Sequence, residues 1–196
     1  MTPAEYFRQL PMIRTSRLIL RKLTMDDAAD VFAYASNPIV TRFTTWDTHR
    51  SVEDSRAFIS FALQRYEAGH AVGYGIVDAA TNHVIGTCGI AGWSDQHERG
   101  DLAYAIAAPY WNKGYMTEAA RAAVDHAFAA LPMNRLQSCC HVDNIGSARV
   151  MEKLGMTFEG VLRQYFKIRN GYHDLRYYSL LRSEWERSQA TAILSR

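Results

Sequence analysis

Apolar residues along this chain fall into short alternating runs and longer stretches of helical spacing. Arg17-Leu-Ile-Leu-Arg21, rich in strand formers and flanked by charge, predicts a first strand. Thr24 offers an N-cap with Asp26 and Asp27 in the first turn, so a helix is expected from there to Asn37-Pro38. Ser51-Val-Glu-Asp54 repeats that start signal, and Phe58, Phe61, Ala62 and Tyr66 recur at helical spacing before Gly69. Val72 to Asp78 and Val84 to Ile90 read as antiparallel strands joined through Ala79-Ala-Thr-Asn82. A polar loop around Ser94 to Gly100 precedes a fourth strand, Asp101 to Ala107, closed by Pro109.

A long helix then opens after Trp111-Asn-Lys-Gly-Tyr-Met-Thr-Glu118, with a stripe of Ala119, Ala120, Ala123, Val124, Ala127, Phe128 and Leu131 before Pro132. Leu136 to Val142 is a fifth strand. Asn144 begins a short helix with Val150, Met151 and Leu154 on one face and Gly155 as its terminator. Thr157 to Ile168 and Asp174 to Leu181 form a final hairpin around Asn170-Gly171, the strongest short turn signal in the chain. The order β-α-α-β-β-β-α-β-α-β-β gives an α/β (α+β) fold with a mixed, mostly antiparallel sheet of about seven strands and flanking helices. The fourth strand, long helix and fifth strand make a βαβ unit within it.

Length and composition narrow the class. With 196 residues, 48% hydrophobic and 21% charged, the chain is expected to be a single domain over 1–196 with a core of about 13–187. A net charge of +2 gives no reason to expect nucleic acid as partner. No apolar run is long enough to span a membrane and no basic segment precedes an apolar one at the N-terminus, so a cytoplasmic protein without a membrane partner is expected. Cys88, Cys139 and Cys140 have neither metal-ligand spacing nor a disulfide pattern, so no metal is expected. Alternation sends the thiols of Cys139 and Cys140 to opposite faces of their strand.

Chemistry concentrates where the fourth strand turns into the long helix. Gly114 allows close backbone approach, Lys113 adds positive charge, and successive N–H groups at a helix start form an anion nest. The same glycine also suits a plain tight connection. Asn144 and Ser147 at the next helix start are equally the residues that cap helices.

Two segments taken together carry a resemblance. Trp111-Asn-Lys-Gly-Tyr-Met-Thr-Glu-Ala119 and Asn144-Ile-Gly-Ser-Ala-Arg-Val-Met-Glu-Lys-Leu-Gly-Met156 are similar to the motifs of GCN5-related N-acetyltransferases, the GNAT superfamily. The likeness is to the branch of ribosomal-protein N-terminal acetyltransferases, and Trp46 to Ser51 and the final hairpin extend it over roughly residues 13–187. Trp111 stands where the family has Gln or Arg, and Met116 where it has a small residue.

The resemblance implies a sheet splayed between the fourth and fifth strands, with acetyl-CoA as cosubstrate. The turn Trp111, Asn112, Lys113, Gly114, Tyr115, Met116 and Thr117 would bind its pyrophosphate. Main-chain groups around Ala105, Ile106 and Ala107 would hold the acyl arm and polarise its carbonyl, and Asn144 would bond the pantetheine. Asp101, on one face with Ala103, Ala105 and Ala107, stands where the branch has Glu and would act as base, directly or through water. Glu98 or His97 could substitute for it, and a solvated strand-end charge is the plain alternative. Ser147 would protonate the leaving thiolate.

The implied activity is acetyl transfer to a primary amine, a protein or peptide N-terminal α-amine being favoured on pKa grounds. Alternatives are a small amine, antibiotic or toxin as acceptor, or a non-catalytic CoA-binding or sensing domain. Phe43, Trp46, Trp93, Tyr165 and Phe166 fall in segments that border the acceptor cleft of this fold. Exposed sheet edges leave room for a homodimer.

Overall fold

In the computed structural model, which describes residues 1–169 and 171–194, eight strands form one sheet. They are β1 Ile13–Arg14, β2 Leu18–Arg21, β3 Tyr74–Asp78, β4 Val84–Ser94, β5 Arg99–Ile106, β6 Arg135–His141, β7 Thr157–Ile168 and β8 Gly171–Leu181. Their order is β1-β2-β3-β4-β5-β6-β8-β7, antiparallel at every junction except β5 with β6. The helices are α1 Pro3–Gln9, α2 Ala28–Ala35, α3 Pro38–Thr41, α4 Val52–Ala68, α5 Tyr115–Ala130, α6 Ile145–Lys153 and α7 Arg182–Leu194.

The small stripe on α5 lets that helix lie close against β4 and β5. Met116, Ala119, Ala120, Ala123, Val124, Ala127 and Phe128 are all buried there. On this face β2 contributes Leu18 and Leu20, and β3 Tyr74 and Ile76, to the same core.

The expected splay is present, and its cause is visible in the pairing. The parallel strands β5 and β6 meet only at Arg99 with Arg135, Gly100 with Leu136 and Asp101 with Gln137. Beyond that point β5 follows β4 as far as Ile106, while β6 follows β8 as far as His141. Each strand keeps its antiparallel partner and the two part company. The result is an open V along which the main-chain groups of β5 and β6 no longer pair with each other.

Several elements differ from the sequence reading. The N-terminal arm holds α1, with Tyr6 and Phe7 buried and a Thr2/Glu5 capping box at its start. Two turns are too short for helical periodicity to show, but that box was a readable signal. The helix expected from Thr24 begins as a 3-10 turn, Met25–Asp27, before α2. Pro38, expected to end a helix, starts α3 at a position where its missing N–H costs nothing, with Asn37 as N-cap accepting from the Ile39 N–H. The polar loop expected around Ser94 to Gly100 is present as a tighter exposed turn over 95–98, because β4 runs on to Ser94 and β5 already begins at Arg99. Helix α7 was not anticipated; Trp185 stacks on Phe128 at 5.2 Å and donates to Asp125 Oδ1 at 2.8 Å. In the Asn170-Gly171 turn, Asn170 lies outside the described residues, while Gly171 pairs with Ile168 across the hairpin.

Candidate active site

After β5 the chain passes through a 3-10 turn at Ala108–Tyr110 and enters α5 with Asn112 at φ 58° and Gly114 at φ 82°. Gly114 is the N-cap and no side chain caps the helix, so the N–H groups of Tyr115, Met116 and Thr117 keep the unsatisfied donors of a first turn. A Cβ placed on Gly114 would meet only Arg17 Nη2, at 3.6 Å, so the space in front of the turn is open. Met116 does not crowd it, because its side chain is 7% exposed and turned into the core. The uncapped amides, open cradle and adjacent Lys113 fit a pyrophosphate.

Two side chains fasten this turn. Trp111 Nε1 donates to the Ile106 carbonyl at 2.8 Å. Glu118 accepts from Thr15 Oγ1 at 2.6 Å, Ser16 Oγ at 3.0 Å and Arg17 Nε at 2.7 Å. Burial pushes the Glu118 carboxyl up, but the hydrogen bonds from Thr15 and Arg17 outweigh it and hold it below the usual range. Arg17, read from sequence only as the flank of a strand, lies 4.0 Å over the Tyr115 ring and donates to the Lys113 carbonyl at 3.1 Å. It is thus a guanidinium at the anion turn, ion-paired there with Glu118 at 2.6 Å.

The main-chain edge of β5 corrects part of the expected set. The Ala107 N–H donates to the Ile85 carbonyl at 2.8 Å, so alternation turns Ala105 and Ala107 toward β4. Of Ala105, Ile106 and Ala107, Ile106 alone turns its main chain to the V, together with Leu102 and Tyr104. The Leu102 carbonyl accepts from Ser138 Oγ at 2.8 Å, and that of Ile106 is the Trp111 acceptor. Tyr104 was missed, although period-two alternation from Asp101 puts it on the opposite face, toward α6.

There, Asn144 caps α6: its Oδ1 accepts from the Ser147 N–H at 3.1 Å. Ser147 Oγ lies 2.9 Å from the Tyr104 hydroxyl, which also donates to the Ser147 carbonyl at 3.1 Å. Burial pushes the Tyr104 phenol well up, so it stays protonated. Burial also raises the thiols of Cys139 and Cys140 to about 11, which keeps them protonated as well.

On the other face of the V, Asp101 sits where β5 and β6 part. Its Oδ1 accepts from Gln137 Nε2 at 2.6 Å. A Cβ on Gly92 would stand 2.5 Å from Oδ2, so the glycine at the β4 bulge makes room for the carboxylate. Gln137 Oε1 in turn accepts from Arg135 Nε at 3.3 Å, and Arg135 forks onto Glu159 at 2.8 and 2.5 Å. Asp101 is therefore a held carboxylate, not a loosely solvated strand end. Burial, with the Asp101 charge adding to it, raises Tyr177 to about 12. His97 and Glu98 are exposed at the hairpin tip, beyond the paired end of β5 and away from the V, which removes them as substitutes.

A cavity of about 500 Å³ adjoins the end of β6, lined by Phe43, His141, Asp143, Arg169 and His173 among others. Of the aromatic residues expected near an acceptor cleft, Phe43 stacks on His141 at 4.9 Å, whereas Trp93 packs toward Phe7 of α1. Trp46 packs against His49, and Tyr165 stacks on Phe166.

A family model described as acetyltransferase (GNAT) domain matches residues 17–157. The uncharacterized N-acetyltransferase YoaA of Bacillus subtilis (strain 168) is 33% identical over 172 residues, 88% of this chain and 97% of its own. Among solved structures, a GNAT-family acetyltransferase from Bacillus anthracis is 27% identical, with a TM-score of 0.80 over 89% of this chain and all of that one. RimL, a ribosomal L7/L12 α-N-protein acetyltransferase solved with coenzyme A, is 19% identical and shares the fold, with a TM-score of 0.78 over 87% of this chain and 98% of its own.

Proposed function

Because this chain belongs to the GNAT acetyltransferase family and is an N-acetyltransferase, we propose that its acceptor is the α-amine of a protein or peptide N-terminus. Acetyl-CoA, the acyl donor of the family, supplies the activated thioester. The N–H groups of Tyr115, Met116 and Thr117, set up by Gly114 and the Trp111-Asn112-Lys113 turn, hold the pyrophosphate, with Lys113 and Arg17 adding charge. The main-chain edge of Tyr104 and Ile106 lies along the acyl arm, and an N–H there stabilises the charge that develops on the carbonyl oxygen. Asn144 bonds the pantetheine. Ser147, held by Tyr104, gives its proton to the departing thiolate, whose parent pKa is about 8.5.

The observation that carries the acceptor reading is the held carboxylate of Asp101 at the mouth of the V. A carboxylate is a weak base, so it suits an amine that is already partly neutral. An α-amine of pKa roughly 7.7–8.0 is about 10% neutral at pH 7, whereas a lysine at about 10.4 is neutral at well under 0.1%. RimL, named as an α-N-protein acetyltransferase, supports the same acceptor. Three free thiols support a cytoplasmic setting.

Thiol release from acetyl-CoA, measured against N-terminal peptides, Nα-blocked lysine peptides, polyamines and aminoglycosides, tests the reading. At pH 7 the free α-amine peptides are expected to lead by at least about tenfold in kcat/KM. Equal or faster turnover of an Nα-blocked lysine peptide overturns it.

A further inference from the structure

The cavity at the end of β6 holds two histidines in contact, His141 Nε2 being 3.0 Å from His173 Nδ1. The Asp143 main-chain N–H lies 3.1 Å from His141 Nδ1, and a main-chain N–H only donates. Nδ1 of His141 is therefore an acceptor, and the proton of the neutral ring sits on Nε2. That proton goes to His173 Nδ1, which leaves the proton of His173 on its Nε2. The pair thus presents an N–H donor rather than a lone pair. His173 Nε2 lies against the bare Cα of Gly171, 3.1 Å from where a Cβ would stand.

The surrounding groups are of the same kind. Arg42 lies 4.9 Å over the Phe43 ring, and Phe43 stacks on His141, so the guanidinium, phenyl and imidazole form one column. Arg169 donates to the Thr41 carbonyl at 2.9 Å and the Arg42 carbonyl at 3.3 Å, tying the β7–β8 hairpin to this loop, with Asp47 at 3.8 Å. Among the described residues that line the cavity, the one carboxylate is Asp143, which is largely in water. Arg169 is balanced by Asp47, so the groups that favour a ligand rich in acceptor atoms and negative charge, and oppose a polycation, are Arg42 and the His173 N–H.

We propose that this cavity selects the acceptor by binding an acidic side chain near its N-terminus, through Arg42 and His173; the inference rests on the α-amine reading above. Geometry gives the spacing. His141 is four residues along β6 from Gln137, the partner of Asp101, and shares its face, so the cavity lies about 13 Å from the carboxylate. An extended peptide covers about 3.4 Å per residue, so an amine reacting at the V places a side chain from within roughly its first four residues in the cavity.

Peptides that differ only in Asp, Asn or Lys at the third position, dye-labelled at the C-terminus, are titrated by anisotropy against the full enzyme saturated with desulfo-CoA. The Asp peptide is expected to bind about tenfold more tightly than the Lys peptide, with Asn between. Arg42→Glu is expected to invert the order. His173→Phe is expected to lower the Asp-over-Asn preference about threefold while His173→Gln, which keeps an N–H donor, retains it. Equal affinity for Asp and Lys peptides, or an order that survives Arg42→Glu, overturns the proposal. The same sequences with a blocked α-amine and an acceptor lysine separate the two readings: if those turn over faster and still prefer Asp, the α-amine reading falls and the cavity assignment stands.

Discussion

On the α5 side of the V the groups that face a ligand are consecutive main-chain amides, Tyr115 to Thr117, released by one glycine with a positive φ. On the opposite side they are side chains, and they arrive from four places: Arg42 after α3, Asp101 on β5, Gln137 and His141 on β6, and His173 on β8. A nest of amides needs a local conformation, so it leaves a contiguous trace in the sequence. A pocket of side chains needs only that distant strands meet, and it leaves none. The first kind of site tolerates change in its side chains and fails when the backbone is altered; the second does the reverse.

The largest effect is therefore expected at Gly114. Valine there is β-branched at φ 82°, a conformation strained for any L side chain, and its Cβ fills the open cradle. Calorimetry is expected to show acetyl-CoA affinity down by more than about 100-fold, with a loss of fold stability of only about 1–2 kcal/mol. If Gly114→Val binds acetyl-CoA normally, the amides of α5 are not the anion site and the contrast between the two sides collapses.

Next comes Asp101, on the side-chain half. Asp101→Ala is expected to leave acetyl-CoA affinity unchanged and to lower kcat at pH 7 by about 10²-fold. The deficit should shrink to roughly tenfold at pH 9, because an α-amine of pKa about 8 is by then neutral without help. Full activity of Asp101→Ala at pH 7 removes the carboxylate from the chemistry.

Tyr104→Phe probes the boundary between the halves. It removes the hydroxyl that lies 2.9 Å from Ser147 Oγ and donates to the Ser147 carbonyl, and it leaves the main-chain edge of β5 unchanged. We expect kcat to fall about tenfold and the KM for acetyl-CoA to stay within about twofold, as befits a positioning residue. A large rise in that KM with kcat unchanged would reassign Tyr104 to cofactor binding.

The same contrast explains what the sequence disclosed. Gly114, Lys113, Asn144 and Ser147 were legible because helix starts have local rules of capping and φ. The splay was implied by likeness, whereas its cause, two parallel strands each keeping an antiparallel partner, needed the pairing register. Ala105 and Ala107 were misassigned because strand alternation fixes which residues share a face but not which edge carries a given N–H; the Ala107 to Ile85 bond decided that. Gln137 and the His141–His173 pair were hidden because each acts through a partner tens of residues away, and Gly92 because its role depends on the register that sets it opposite Asp101 at the β4 bulge. Arg17 is the intermediate case, adjacent to the predicted strand in sequence yet holding Glu118 from 101 residues off.

The smallest expected effect lies at the far end of the chain of contacts that holds Asp101. Glu159 is drawn down to about 2 by the two hydrogen bonds from Arg135 and then by Ser179. Its folded pKa lies below the ordinary glutamate value of about 4.3, so the folded protein binds fewer protons than the unfolded chain through this window. The pair's stabilisation is present in full above about pH 4.5 and is lost as pH falls toward 2. Because the carboxylate is 38% exposed, solvent screening reduces the stabilisation to the order of 1 kcal/mol. Glu159→Gln should thus melt about 2–4 °C below the parent at pH 7, and the gap should close between pH 4.5 and 2.5. Acetyl-CoA affinity should not move, since no amide of α5 depends on Glu159. A gap that stays constant down to pH 2.5 would mean that the glutamine disturbs packing rather than charge, and that Arg135 holds Gln137 without Glu159.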